Sequence, residues 1–364
     1  MSYQTVVSKW LFLIAWGLIA GSTFAIAGER AELKPSQHRE MEVLFSRTKH
    51  QCVGRYLIDV PESFNNKLKD MVFIDDFKIE SKPQYRPPFE QRIQRREKEL
   101  RATETSPGNT VENAPFIKQV IQLPNNTGVI FDRNISNEDD LSRMLEAYVY
   151  VDGITFAITT KILDLSAAKY AERKKTYLAA GFTETQTNEK PAKMTALQSL
   201  ISRLSGRQDE EVPVGKGLCI PNGFVRDDGL KHSEKVSFSY ENDDFIFALD
   251  TDNTIKGSND ILLNRSSEIN EAIDSAHYRT IKRDEAIRNS IRTQEWLITR
   301  MQESNSIKSS FPLFDFTLYA NEANAGIESP LMSIAYNNRD KLSKYNQTEM
   351  IYIWDRLTRT LRYH

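Results

Sequence analysis

Two cysteines, five histidines and four adjacent aspartate pairs are the side chains of this chain with the most obvious chemistry. The histidines are His38, His50, His232, His277 and His364, and no two share a metal-ligand spacing; the scatter predicts no three-ligand metal centre. The aspartate pairs are Asp75-Asp76, Asp139-Asp140, Asp227-Asp228 and Asp243-Asp244. Acid–base catalysis needs two carboxylates several ångströms apart across a cleft. Neighbours on a strand point to opposite faces, so a doublet does not supply that pair by itself. Asp243-Asp244 reads as turn chemistry. Asp250-Thr251-Asp252-Asn253 has the acidic density of a calcium loop but lacks its glycine and closing glutamate. There is no Gly-x-Ser-x-Gly elbow, no phosphate-binding glycine loop and no His-Glu-x-x-His helix. The expectation is a protein without cofactor, metal or catalytic site.

Cys52 and Cys219 are the only cysteines, 167 residues apart, and each opens a strand-like stretch. The spacing excludes a C-x-x-C redox motif. In an oxidising compartment an even pair reads as a disulfide. The alternative is two small buried apolar residues, each packed inside its own half.

The N-terminus argues for such a compartment. Lys9 precedes an apolar run from Trp10 to Ala20, and Ala25 and Ala27 fit signal cleavage between Ala27 and Gly28. The run is short for a membrane span, which needs about 20 apolar residues. An uncleaved inner-membrane anchor is the other reading. Either way residues 28–364 are expected outside the cytoplasm, in the periplasm. The formal net charge is −2. With no field of one sign, neither nucleic acid nor, after cleavage, a membrane surface is an expected partner.

The elements that must position these residues fall into two halves. Residues 28–49 read as a polar tether or first short helix. Strands are expected over 53–60 and 70–79, then a charged surface helix from Phe89 to Glu104 behind Pro87-Pro88. Leu145–Val151, Asp152-Gly153 and Ile154–Thr160 form a tight hairpin, because Asp-Gly accepts the positive φ such a turn demands. A helix capped by Ser166 runs to Ala180, and another from Pro191 to Leu204 carries Leu197, Leu200 and Ile201 on one side. Residues 207–216 read as a linker. Beyond Cys219, strands are expected over 236–240, 245–249, 293–301, 311–319 and 331–336. Helices cover 264–276 and a stretch starting near Asn346 or Thr348, with Met350, Ile351, Trp354, Leu357 and Leu361 on one face. The fold class is α+β, two domains of antiparallel sheet each covered on one face by helices. The expected bounds are 1–27 for the signal, 28–49 for an N-terminal segment, and 50–206 and 217–364 for the domains.

Cys52-Val53-Gly54-Arg55-Tyr56-Leu57-Ile58-Asp59-Val60-Pro61 resembles the N-terminal signature of type VI secretion immunity proteins that neutralise class-four phospholipase effectors. Gly217-Leu218-Cys219-Ile220-Pro221-Asn222-Gly223-Phe224-Val225 resembles the opening of their C-terminal domain. Phe314-Asp315-Phe316-Thr317-Leu318 and Ile353-Trp354-Asp355-Arg356-Leu357 resemble its end. The resemblance implies a two-domain periplasmic clamp that grips one secreted phospholipase, one to one, and blocks its active site. A periplasmic hydrolase or an envelope-assembly protein is the rival reading of a chain without motifs.

Overall fold

The computed structural model describes residues 33–66, 71–103, 111–136, 138–304, 309–338 and 341–364. The expected signal segment and its Ala27–Gly28 junction lie outside the described residues. Residues Glu32–His364 form one compact unit.

The chain opens with α1 (Pro35–Leu44). The Cys52-led stretch is not one strand but a hairpin, β1 (Thr48–Val53) and β2 (Tyr56–Pro61). Gly54 makes the turn at φ +59°, and a Cβ there would stand 2.4 Å from the Thr251 hydroxyl. The same thing happens over 70–79. Asp75 takes φ 51° and splits the expected strand into β4 (Met71–Ile74) and β5 (Phe77–Pro83), after a two-residue β3 (Asn65–Asn66). Next come α2 (Arg86–Ala102), β6 (Ile117–Gln122) and β7 (Gly128–Asn134). β8 (Ser142–Val151) and β9 (Ile154–Leu163) form the Asp-Gly hairpin, with φ 50° at Asp152 and 79° at Gly153. Ser166 does not cap the next helix. α3 (Ala171–Ala179) starts later, behind a single 3₁₀ turn (Ala168–Tyr170), and the Ser166 amide instead donates to the Asp164 carboxylate. α4 (Glu184–Thr187) and α5 (Lys190–Arg203) complete the first half.

Short strands β10 (Leu204–Gly206), β11 (Gly217–Ile220) and β12 (Gly223–Arg226) make a small sheet at the crossing between halves. The second half continues with β13 (Glu234–Glu241), β14 (Ile246–Asp252) and α6 (Ser266–Ser275). Then come β15 (Arg279–Arg288), β16 (Ile291–Ser304), β17 (Ser309–Ala320) and β18 (Leu331–Asn337). α7 (Gln347–Thr358) is capped by Asn346, whose side chain accepts from the Glu349 amide, and β19 (Arg362–Tyr363) returns to pair with β2.

The halves do not keep separate sheets. Both are antiparallel throughout, and they join edge to edge into one 13-stranded sheet, ordered β15-β16-β17-β18-β14-β13-β4-β5-β9-β8-β7-β6, with β3 also on β13. The seam is the β4–β13 ladder, where Val72 faces Val236 and Ile74 faces Glu234. One face of this sheet carries most of the apolar core, with Glu234 at the seam and Glu295 near the β15 edge as buried charges among it. Ile130, Ala147, Ile158, Ile79, Val72, Val236, Phe238, Leu249, Ile334 and Phe316 share one core with Val53, Tyr56 and Ile58 of the first hairpin, Leu200 of α5 and Trp354 of α7.

Candidate functional site

Side chains alternate across a strand, so each residue in that core sends its neighbours to the opposite face. There the coverage is incomplete. At the first-half end α2 packs Phe89 and Leu100 onto Val129, Phe131 and Tyr148. Its Arg96 guanidinium donates to both oxygens of the buried Glu146 at 2.8 and 3.0 Å, Arg133 also donates to Glu146, and Arg92 lies over the Tyr148 ring. The expected charged surface helix is thus attached through Phe89, Ile93 and Leu100 and forms a wall on this face. At the other end α6 packs Ile269 and Ile273 onto Trp296, Ile298 and Tyr319.

Between the two helices β13, β14, β18 and β17 present mostly small and polar side chains, while β4 adds Met71 and Phe73 to the same face. One row runs Ser239, Ala248, Ala335, Thr317 across paired strands; the next runs Ser237, Asp250, Ser333, Tyr319. All of them stay partly exposed. Burial raises the pKa of Asp250, against a hydrogen bond from Ser237 that lowers it. Backbone can be approached closely over such a floor, and two helices flank it. Such a face has room for another chain to lie across it, and its described residues form no constellation for bond chemistry.

The junction beneath is held rigidly. Cys52 and Cys219 form a disulfide, Sγ–Sγ 2.05 Å and Cα–Cα 5.6 Å, and Gly54 and Cys219 exchange backbone hydrogen bonds at 2.9 and 2.8 Å. Arg207, placed by sequence in a linker, is 6% exposed. Its guanidinium donates to the carbonyls of Cys52, Ile220, Gly223, Gln208, Asp209 and Glu211. Burial lowers its pKa against the pull of Asp209. His364 lies near the cysteine sulfurs, but disulfide sulfurs are not thiolate ligands, and its Nε2 is 2.9 Å from the Pro213 carbonyl.

The acidic doublets resolve into ion pairs whose two members go different ways. Asp76 meets Lys193 while Asp75 meets His232. Asp139 meets Arg173 while Asp140 takes Lys118 and Lys169. Asp227 binds Arg55, and Asp228 binds Arg203 and His232. Asp244 pairs with Lys344. Asp252 pairs with Lys235 at 3.1 Å, across the sheet rather than around a cation. Asp59 holds His50 and Arg362. The roles of His232 and Arg207 were not legible in the sequence, since each depends on one partner more than 150 positions away, Asp75 for His232 and Cys52 for Arg207.

This arrangement, two like halves seamed through one sheet with an open floor between helical walls, is that of a binding protein. Residues 49–207 match the Tle cognate immunity protein 4 N-terminal domain and residues 211–364 its C-terminal domain. The chain belongs to that family. It is an immunity protein: it binds an effector and is not an enzyme. No curated protein matches the sequence. Among solved structures, the apo immunity protein TplEi of T6SS from Pseudomonas aeruginosa aligns at TM-score 0.65 and 16% identity, over 87% of this chain and 97% of that one. The crystal structure of a Tle4–Tli4 complex aligns at TM-score 0.66 and 14% identity, over 87% and 98%. TplEi complexed with an "L" peptide, also from Pseudomonas aeruginosa, aligns at TM-score 0.59 and 15% identity, over 87% and 98%. At such identities the shared property is the fold.

Proposed function

We propose that the chain works in the periplasm, where it holds a secreted phospholipase one to one against the open face of the sheet and blocks access to its active site. The observation that carries this reading is the floor of small side chains between α2 and α6, in a chain matched from residue 49 to 364 by an immunity family. A stable interface needs about 800 Å² from each partner, and a surface spanning two walls and several strands offers that scale. The Trp10–Ala20 run with Ala25 and Ala27 supports export and cleavage before Gly28. The domain bounds 50–206 and 217–364, and a Cys52–Cys219 bridge formed after export, are part of the same reading. The helices among the described residues include none long and apolar enough to cross a membrane.

The test is protection of sensitive cells producing the lipase in their periplasm. Cells co-expressing the exported form should survive, and cells expressing a form lacking residues 1–27 should die. Purified protein should inhibit the lipase with saturation near one to one, and the unfolded, non-reduced protein should show no free thiol. Equal protection by the cytoplasmic form would sink the periplasmic reading. Inhibition far from one to one would sink the clamp.

A further inference from the structure

The β4–β13 ladder is where the two half-sheets meet, and at its end the β4–β5 turn leans on the loop between β12 and β13. The Asp75 amide donates to the Ser233 carbonyl at 2.7 Å, and the Ser233 amide donates to Asp75 Oδ1 at 2.9 Å. His232 stands in the middle. Its Nδ1 is 2.8 Å from Asp75 Oδ2, and its Nε2 is 3.1 and 3.2 Å from the two oxygens of Asp228. A carboxylate only accepts hydrogen bonds. Both ring nitrogens must therefore carry a proton for both contacts to hold, and that is the imidazolium. A neutral ring keeps one proton, so one of its two bridges becomes a contact between lone pairs.

We propose that His232 is a pH-sensitive latch on the seam between the two halves, closed when its ring is charged and weakened when it is neutral. Asp75 belongs to the first half, and Asp228 with His232 to the second. The far side of the loop is fixed independently, because the Asn253 side chain donates to the His232 carbonyl at 2.9 Å. With Arg203 able to donate to Nε2, the neutral ring keeps its proton on Nδ1, and the Asp75 bridge weakens from a charged to a neutral hydrogen bond, which acts on the β4–β5 turn. The turn also borders a groove of about 560 Å³, lined by Phe77, Ala196, Leu200 and Leu230, so it has room to move.

The other charges around the ring set the direction. Arg203 of α5 brings Nη2 to 3.3 Å from Nε2, and its Nε pairs with Asp228. Glu234 of β13 also faces the ring but is committed to Arg55, at 2.6 and 2.8 Å. Burial, the largest influence on His232, and Arg203 favour the neutral ring; Asp75 and Asp228 outweigh them and raise its pKa above the ordinary histidine value. A raised histidine contributes stability that is full below its unfolded pKa and is lost as pH rises through the folded one. The latch is therefore closed in mildly acidic medium and loosens toward alkaline pH.

The experiment uses the isolated full chain and needs no partner. Amide exchange over residues 71–77 and 232–237 is measured from pH 6 to 8.5, corrected for intrinsic rates, in wild type, His232→Gln and Asp75→Asn. The carboxamide of the Asp75→Asn variant keeps an oxygen for the Ser233 amide but removes the charge. Wild-type protection should fall several-fold as pH rises, while both variants stay flat. The wild-type ring, followed by NMR, should titrate above ordinary histidine and move down in Asp75→Asn. The same pH dependence in wild type and variants, or a wild-type ring titrating at or below the ordinary value, overturns the latch. If neither variant folds, the wild-type titration alone decides it.

Discussion

The two faces of the shared sheet differ in what they ask of their residues. The filled face buries Phe238, Phe247, Phe316, Tyr336 and Trp354 against helices from both halves, and Trp354 stacks on Tyr336 with ring centroids 6.2 Å apart. The open face replaces such residues, strand by strand, with Ser237, Ala248, Ser333 and Ala335. On the proposed reading, the same strands serve stability on one side and recognition on the other. A substitution on the filled face should therefore cost folding and only indirectly binding. On the open face the order reverses.

The largest effect expected from this contrast is at Trp354. Its indole Nε1 donates at 2.9 Å to Glu295 Oε2, and Glu295 is fully buried with Lys282 and Arg288 at 2.6 and 2.8 Å. Trp354→Ala opens a cavity and takes a donor from a buried carboxylate. It should lower stability by about 3–5 kcal/mol, seen as a shifted denaturation midpoint with little change in slope. A loss below about 1 kcal/mol would mean that this face is not a packed core.

The open face gives the reverse prediction. Ala335→Arg places a long charged side chain in the middle of the floor without touching the core. Stability should change by no more than about 0.5 kcal/mol. Affinity for the lipase should fall by about 2 kcal/mol or more, roughly 30-fold, as expected for a residue near the centre of an interface. Calorimetry on the wild-type and variant complexes separates the outcomes. Wild-type binding with an unaffected variant would move the interface elsewhere on the molecule while leaving the immunity function intact.

The filled face was the legible one. Leu197 and Leu200, or Met350, Trp354 and Leu357, announce themselves by spacing, and Asp152-Gly153 announces a turn, because each signal lies within a few residues. The joining of the sheets was not legible, since the β4–β13 register pairs residues 160 or more positions apart, such as Val72 with Val236. β15 was missed for another reason. It is an edge strand carrying Arg279, Lys282, Arg283, Asp284 and Glu285, a charged surface that discourages further pairing but hides the strand's period. The floor was invisible because small polar residues on alternate positions look like any solvated strand face. Only the walls at each end give it meaning, and those walls come from helices distant in sequence.

The two walls offer the last and smallest test. α6 is attached by apolar contacts, whereas α2 combines Phe89 and Leu100 with a charged anchor on Glu146. Burial alone would raise the pKa of Glu146. Arg96, Arg133 and the Tyr148 hydroxyl overcome it and hold the pKa down at about 2. A carboxylate depressed in the folded state stabilises above its unfolded pKa and ceases to do so as pH falls through the folded value. Arg96→Gln keeps a polar side chain, leaves Arg133 and Tyr148 in place, and should cost about 1 kcal/mol at pH 7. The difference between wild type and variant should stay constant down to about pH 4.5, then shrink toward zero near pH 2. Over the same range amide exchange in residues 86–102 should rise before that in 266–275. If the variant's deficit persists unchanged near pH 2, Arg96 acts by packing its stem, and α2 is held as α6 is, by apolar contact.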